Sequence, residues 1–217
     1  MGELFNFDNK FFRGFNKVID CVILSMFWVI FCIPIFTVGA ATTALYYTVN
    51  KVIRHGRSYI WREFWDAFRS NFKQATAVWL ICLAAMAFMG ADCYIMLQYA
   101  RAGERIGSLY IVFVIFLMLL VMWQSYLFPY IARFENSMGA VLKNAALIAP
   151  ANLPWTLLLL LLIVAAFLIA WVFPPVAIFL PGTYMVIANQ ILERVFRKYM
   201  SEEDIAAEDE RNQEFYN

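Results

Sequence analysis

Three long stretches of this 217-residue chain carry no charged side chain, and they constrain its fold more than any other feature. They are residues 21–50, 106–132 and 144–192. The hydrocarbon core of a bilayer is about 30 Å thick and needs about 20 apolar residues per crossing helix. Since 63% of the residues are hydrophobic and only 15% are charged, the excess cannot be hidden in a soluble core. The sequence predicts an all-α polytopic transmembrane helix bundle.

Length and helix breakers predict about six membrane helices, five of them in or overlapping these stretches and one between the first and the second. We expect them near residues 18–34, 38–54, 74–98, 106–131, 155–173 and 174–198. Pro34 and Gly39 offer a break in the first stretch, and Pro174 with Pro175 separates the last two helices. A single kinked helix or a re-entrant pair remains the alternative for residues 18–54.

Three regions follow from this assignment. Residues 1–17 are rich in phenylalanine and predict an N-terminal interfacial segment, and residues 18–198 form the transmembrane helix bundle. Residues 199–217 form an acidic cytoplasmic tail, in which Ser201 and Asp204 have the spacing of a helix capping box.

The distribution of basic residues predicts the orientation in the membrane. With six crossings, all 17 lysines and arginines except Arg101 and Arg105 fall on one side or on its helix flanks. Cytoplasmic segments carry an excess of Lys and Arg, so both termini are expected in the cytoplasm of a multi-pass protein of the plasma membrane. Membrane lipid is the partner that this composition implies, and a net charge of +1 gives no indication of nucleic acid.

Residues 61–73 predict an amphipathic helix with an aromatic face and a cationic flank. Such a helix is stable at the cytoplasmic interface, because rings and basic groups are both favoured there. Docking of a partner protein is the sharper hypothesis for the same face. The candidate interfacial or docking residues are Trp61, Phe64, Trp65, Phe68 and Phe72.

Polar side chains deep in membrane helices are the usual candidates for function in a membrane protein. Here they are Asp92, Gln124 and Asn189, although such groups often only hold helices together. The sequence has no Ser/His/Asp set, HExxH, P-loop or glycine-rich nucleotide fingerprint, and its four cysteines form no CxxC pair. We therefore expect no enzyme activity, no catalytic residue, no metal site and no cofactor.

Several segments together resemble one known family. They are CIPIFTVGAATTALYY at 32–47, FWDAFRSNFKQAT at 64–76, FPYIARFENS at 128–137 and LKNAALIAPAN at 142–152. In this order they resemble the YesL family of bacterial integral membrane proteins, whose domain has no known function. The most specific part of the motif is Pro34, Thr37, Gly39, Thr43 and Ala44.

The resemblance implies a multi-pass protein of the bacterial plasma membrane whose gene often lies beside carbohydrate ABC importers and polysaccharide-degrading enzymes. The leading hypothesis is accordingly an accessory or assembly subunit in oligosaccharide uptake, with ABC importer permease subunits as partners. The alternatives are a stand-alone small-solute transporter or channel, which needs a shared polar path, and a membrane sensor that signals through the 61–73 helix or the tail.

Overall fold

The fold is a bundle of α-helices, seen in a computed structural model that describes residues 10–54 and 59–213, with side chains from 16 to 210 in those ranges. The described residues contain no strand. The helices are α1 (Lys10–Cys32), α2 (Val38–Thr48), α3 (Ile60–Arg101), α4 (Tyr110–Arg133), α5 (Met138–Ala151), α6 (Leu153–Val172), α7 (Leu180–Phe196) and α8 (Glu202–Gln213). A π-helical segment, Val49–Arg54, continues α2, and 3₁₀ turns occupy Ile35–Thr37, Arg105–Leu109, Pro174–Ile178 and Arg197–Tyr199.

Among the described residues, three helical segments are long and apolar enough to cross a membrane: Ile60–Arg101, Arg105–Arg133 and Leu153–Val172. These match the crossings predicted near 74–98, 106–131 and 155–173. The other three predicted crossings correspond to α1, to α2 with the π-helical segment, and to α7, which are not among these three. α2 with the π-helical segment covers residues 38–54, and α7 has 17 residues.

The predicted break between Pro34 and Gly39 is confirmed. α1 ends at Cys32, a 3₁₀ turn follows Pro34, and α2 starts at Val38. The two helices form an antiparallel hairpin. Near its tip the Trp28 Nε1 atom donates to Thr42 Oγ1 at 3.1 Å, and at its other end Lys17 and Ile53 line the same cleft. The hairpin tip is fixed to the middle of α3, where Trp79 Nε1 donates to the Ile35 carbonyl at 2.7 Å.

The prediction that the 61–73 helix is separate from the crossing at 74–98 is wrong. Both belong to α3, a single helix of 42 residues. Its length is about 63 Å at the usual rise of about 1.5 Å per residue, roughly twice the thickness of a bilayer core. The helix continues through this point because Lys73 and Gln74 change only the polarity of the sequence. Within α3, no proline or glycine occurs before Gly90.

The centre of the core is α2, which is built of small residues and is buried on nearly every face. A Cβ atom on Gly39 would lie 2.6 Å from Trp79 Cβ and 2.8 Å from a ring carbon of Phe128. Small residues allow membrane helices to approach this closely, which raises their van der Waals contact. The hairpin α1–α2 is therefore locked between α3 and α4.

The rest of the chain returns to the same end of the bundle from which α3 starts. α4 runs antiparallel to α3, since Cys93 Sγ lies 3.9 Å from the Tyr110 carbonyl and the Gln74 amide donates to the Asn136 carbonyl at 2.8 Å. The segment 174–198, which the sequence predicts as one helix, is divided in the structure. A 3₁₀ turn occupies Pro174–Ile178, and α7 then begins at Leu180 with Pro181 in its first turn.

The helices meet in a region that we name the charged end. Its charged side chains come from α1, the π-helical segment, α4, α7 and the turn after α7. They include Lys17, Arg54, Arg133, Glu193 and Lys198.

Candidate functional site

The charged end is organised around a buried carboxylate, Glu193, whose side chain is 3% exposed. One of its oxygens accepts hydrogen bonds from the Tyr46 hydroxyl and from Asn50 Nδ2, the latter at 3.3 Å. Its other oxygen lies 3.3 Å from Arg133 Nη2 and 4.0 Å from Arg54 Nη1. Since a buried charge is costly unless it is paired and hydrogen-bonded, these four partners offset the cost of burying the Glu193 carboxylate.

The π-helical segment 49–54 positions two of these partners. Its wider turn directs Asn50 and Arg54 toward α7, and Lys51 toward α3. The Lys51 ammonium group lies 2.7 Å from a Glu63 oxygen and 3.3 Å from the Tyr47 hydroxyl. π-Helical turns are rare and are frequently found at functional sites, so this segment makes the charged end a candidate site.

The acidic tail helix α8 is docked on the same cluster. The Arg133 guanidinium that pairs with Glu193 also pairs with Glu208, and Arg197 pairs with Asp209. One of the two hydrogen bonds of the predicted capping box is present, because the Asp204 amide donates to Ser201 Oγ at 3.1 Å; the Ser201 hydroxyl in turn donates to the Asp204 carboxylate at 2.6 Å. One arginine thus connects the buried carboxylate with the tail.

A polar cleft of about 890 Å³ opens between α4, α5 and α8. In its wall the Tyr130 hydroxyl accepts hydrogen bonds from Asn136 at 3.1 Å and from Asn144 at 2.8 Å. The charged residues that line the cleft are Arg133, Glu135, Asp204 and Glu208. Because Arg133 is already paired with two carboxylates, the cleft presents mainly hydrogen-bond acceptors and negative charge.

The three polar residues predicted inside the membrane do not meet in one place. Asn189 is 1% exposed and lies at the charged end, one turn before Glu193. Gln124 lies in α4, and its buried Nε2 atom has no hydrogen-bond partner among the described residues. Asp92 precedes Cys93, whose Sγ atom contacts the Tyr110 carbonyl, so Asp92 lies at the level of Tyr110. Tyr110 is 14 residues before Gln124, which places Asp92 about 20 Å from Gln124 along α4. No described cleft joins the three side chains.

The aromatic residues of α3 divide into a buried face and an exposed one. Phe64 and Phe68 are buried, and the Phe68 ring lies 4.8 Å from the ring of Phe31 on α1. Trp61 and Trp65 are stacked at 5.9 Å with 52% and 39% of their surface exposed. Phe72 is half-buried beside Phe68. The face is thus partly core, and only its tryptophan side is free to meet lipid or a partner.

The motif residues at the hairpin tip act in packing. The Thr37 hydroxyl donates to the Pro34 carbonyl at 2.6 Å and closes the turn. Thr43 donates to the Gly39 carbonyl at 2.9 Å, and Ala44 is fully buried. Pro34 starts the 3₁₀ turn and Gly39 permits the close contact with α3. This set accounts for the shape of the hairpin and presents no reactive group.

Sequence reasoning missed the central residue of the site. Glu193 is the single acidic residue between Leu153 and Met200, within an otherwise apolar or basic stretch, and that was the signal available. Its partners Tyr46 and Asn50 lie 147 and 143 positions away, so local patterns gave no indication of them.

Comparison with known proteins gives one partial match. Residues 21–93 match the model of a family described as protein of unknown function, DUF624. The match covers about a third of the chain, namely most of the α1–α2 hairpin and α3 up to Cys93, and it excludes Glu193 and Arg133. No curated protein and no solved structure matches the chain.

Proposed function

We propose that this chain is a non-enzymatic accessory or assembly subunit of the bacterial plasma membrane, which acts with the permease subunits of an ABC importer for carbohydrate. The carbohydrate part rests on the resemblance of its segments to the YesL family. The non-enzymatic part rests on the absence of catalytic motifs from the sequence.

The observation that carries the proposal is an exposed stripe of small residues on the membrane half of α3. Ala84, Ala87 and Ala91 recur at helical spacing and are exposed, and a Cβ atom on Gly90 would meet nothing within 4 Å. In membranes, close helix packing uses small residues on the contacting face. A lipid-facing surface has no need of such a stripe, whereas a face that receives a helix of another subunit does.

The proposal includes both termini in the cytoplasm. In support, Lys17, Arg54 and Arg133 share the charged end, and cytoplasmic helix ends carry the excess of basic residues. With α3, α4, α6 and α7 as crossings, the count is even whether the α1–α2 hairpin crosses twice or enters and leaves through one face. Six crossings and four crossings therefore give the same orientation of the ends.

Copurification tests the proposed association. Ala87→Leu with Ala91→Leu fills the stripe with bulky side chains, while Val112→Leu enlarges an exposed residue of α4 as a matched control. Expressed in the native host, the wild type and the control are expected to bring down an importer permease from mild detergent, and the double variant is expected to lose it. Equal recovery of the permease by all three proteins, or its absence from all three, would contradict the proposal.

A membrane sensor is the second candidate, favoured by the tail. Because Glu193 and Glu208 share Arg133, any movement of α8 changes the pairing inside the bundle. A chain that ends after Met200 lacks α8. Normal carbohydrate uptake with a lost transcriptional response in that strain would favour the sensor, and lost uptake would favour the accessory subunit.

A further inference from the structure

A second cleft at the charged end has a chemistry different from that of the acidic one. It lies between α1, the π-helical segment and α7 and consists of two adjoining lobes of about 300 Å³ and about 510 Å³. Its polar lining residues are Lys17, Arg54, Asn189, Gln190, Arg194 and Arg197. Arg54 and Gln190 line both lobes, which makes them one continuous site.

The cleft concentrates positive charge. Four of its lining residues are cationic, and none of its described lining residues is a carboxylate. Two of these cations have acidic partners, since Arg54 lies 4.0 Å from Glu193, which also pairs with Arg133, and Arg197 pairs with Asp209. Lys17 and Arg194 add two further positive charges to the lining. Arg194 is held over the ring of Trp155 at 5.0 Å. The cleft is therefore suited to an anion.

A buried donor independently indicates a ligand. The Asn189 side chain lines the inner lobe, and its Oδ1 atom accepts from Arg54 Nη1 at 3.4 Å. Its Nδ2 atom is buried and has no hydrogen-bond partner among the described residues. An unmet buried donor is costly, so native structures rarely leave one without an acceptor. An anionic oxygen in the inner lobe would supply that acceptor.

We propose that this cleft binds the phosphate of an anionic phospholipid headgroup. The inner lobe combines its cations with the apolar side chains of Val49, Ile53 and Val186, which suit the glycerol and the upper acyl chains. Basic pockets between membrane helices at the cytoplasmic side are the usual binding sites for anionic headgroups.

Native mass spectrometry of the full chain in detergent tests this site by titration with phosphatidylglycerol, with phosphatidylcholine as the neutral lipid. The variant Lys17→Gln with Arg194→Gln removes two cations of the cleft. The control Arg62→Gln with Arg69→Gln removes the same charge from the exposed surface of α3. Each basic group near an anionic surface contributes about 1 kcal/mol, so we expect at least roughly tenfold weaker phosphatidylglycerol binding for the cleft variant and little change for the control.

Three results would overturn the proposal. Equal weakening by both variants would mean diffuse electrostatic attraction without a site. Equal binding of phosphatidylcholine would exclude recognition of charge, and displacement of the lipid by millimolar inorganic phosphate would assign the cleft to a soluble anion. Since Arg194 also packs on Trp155, Lys17→Gln alone gives the same test at an exposed position where folding is not at stake. The site is independent of the proposed importer association, because the purified chain alone is titrated.

Discussion

Replacement of Glu193 by glutamine tests whether the buried cluster holds the charged end together. The substitution keeps the size of the side chain and one acceptor for the Tyr46 hydroxyl, but it removes the charge that faces Arg133 at 3.3 Å. Breaking a buried ion pair from one side costs about 3–5 kcal/mol, because the remaining charge is left uncompensated. Here Arg133 keeps Glu208, so the lower bound of about 3 kcal/mol applies.

Thermal unfolding in detergent measures this loss. A thiol-reactive fluorescent dye reports the transition as the fully buried Cys82 becomes accessible. A change of 1 kcal/mol shifts Tm by about 2–4 °C in chains of this size, so Glu193→Gln is expected to lower Tm by roughly 6–12 °C.

The matched control is Asp66→Asn, which removes a carboxylate that pairs with Arg62 at 3.9 Å on the exposed side of α3. Exposed pairs of this type are worth less than about 1 kcal/mol, so its Tm should stay within a few degrees of the wild type. If Glu193→Gln has the same Tm as Asp66→Asn and the wild type, the cluster does not stabilise the bundle and the reasoning from burial is refuted.

Two further predictions concern the packing of α3. Gly39→Val should lower the free energy of unfolding by about 1–3 kcal/mol or prevent folding, since its Cβ would overlap Trp79. Gly90→Val should be tolerated, because the space around Gly90 is open. Size-exclusion profiles of the two variants distinguish these outcomes. Phe64→Ala should lower the free energy of unfolding by about 3–5 kcal/mol, because the ring is fully buried. Trp61→Ala, at a half-exposed position, should lower Tm clearly less in the same melting assay. Equal losses would contradict the division of the aromatic face into a buried and an exposed side.

The membrane helices could be predicted from sequence because they depend on local properties. Charge-free stretches fix where the apolar helices lie, and Pro34 and Pro174 fix where two of them end. The continuity of α3 does not follow from the hydropathy pattern, because a change of polarity at Lys73 looks like the end of a helix. A helix ends where a breaker or a cap ends it, and the sequence has neither before Gly90.

The candidate site was much less predictable. Asn189 and the aromatic face were found by their residue type, but their roles depend on neighbours from other helices. Glu193 obtains its partners from α2, the π-helical segment and α4, and nothing in the local sequence specifies which of the basic residues will reach it. The exposure of Trp61 and the burial of Phe64 were not predictable from local sequence either, because Phe27 of α1 contacts both rings and only Phe64 is fully covered.

The place of Glu193 in the chain also has a consequence for synthesis. The residues that it holds, Tyr46, Arg54 and Arg133, all leave the ribosome before it does. During synthesis the earlier helices therefore carry Arg54 and Arg133 before this carboxylate is present. Arrival of α7 then closes the cluster, so α7 joins helices that are made well before it into one bundle.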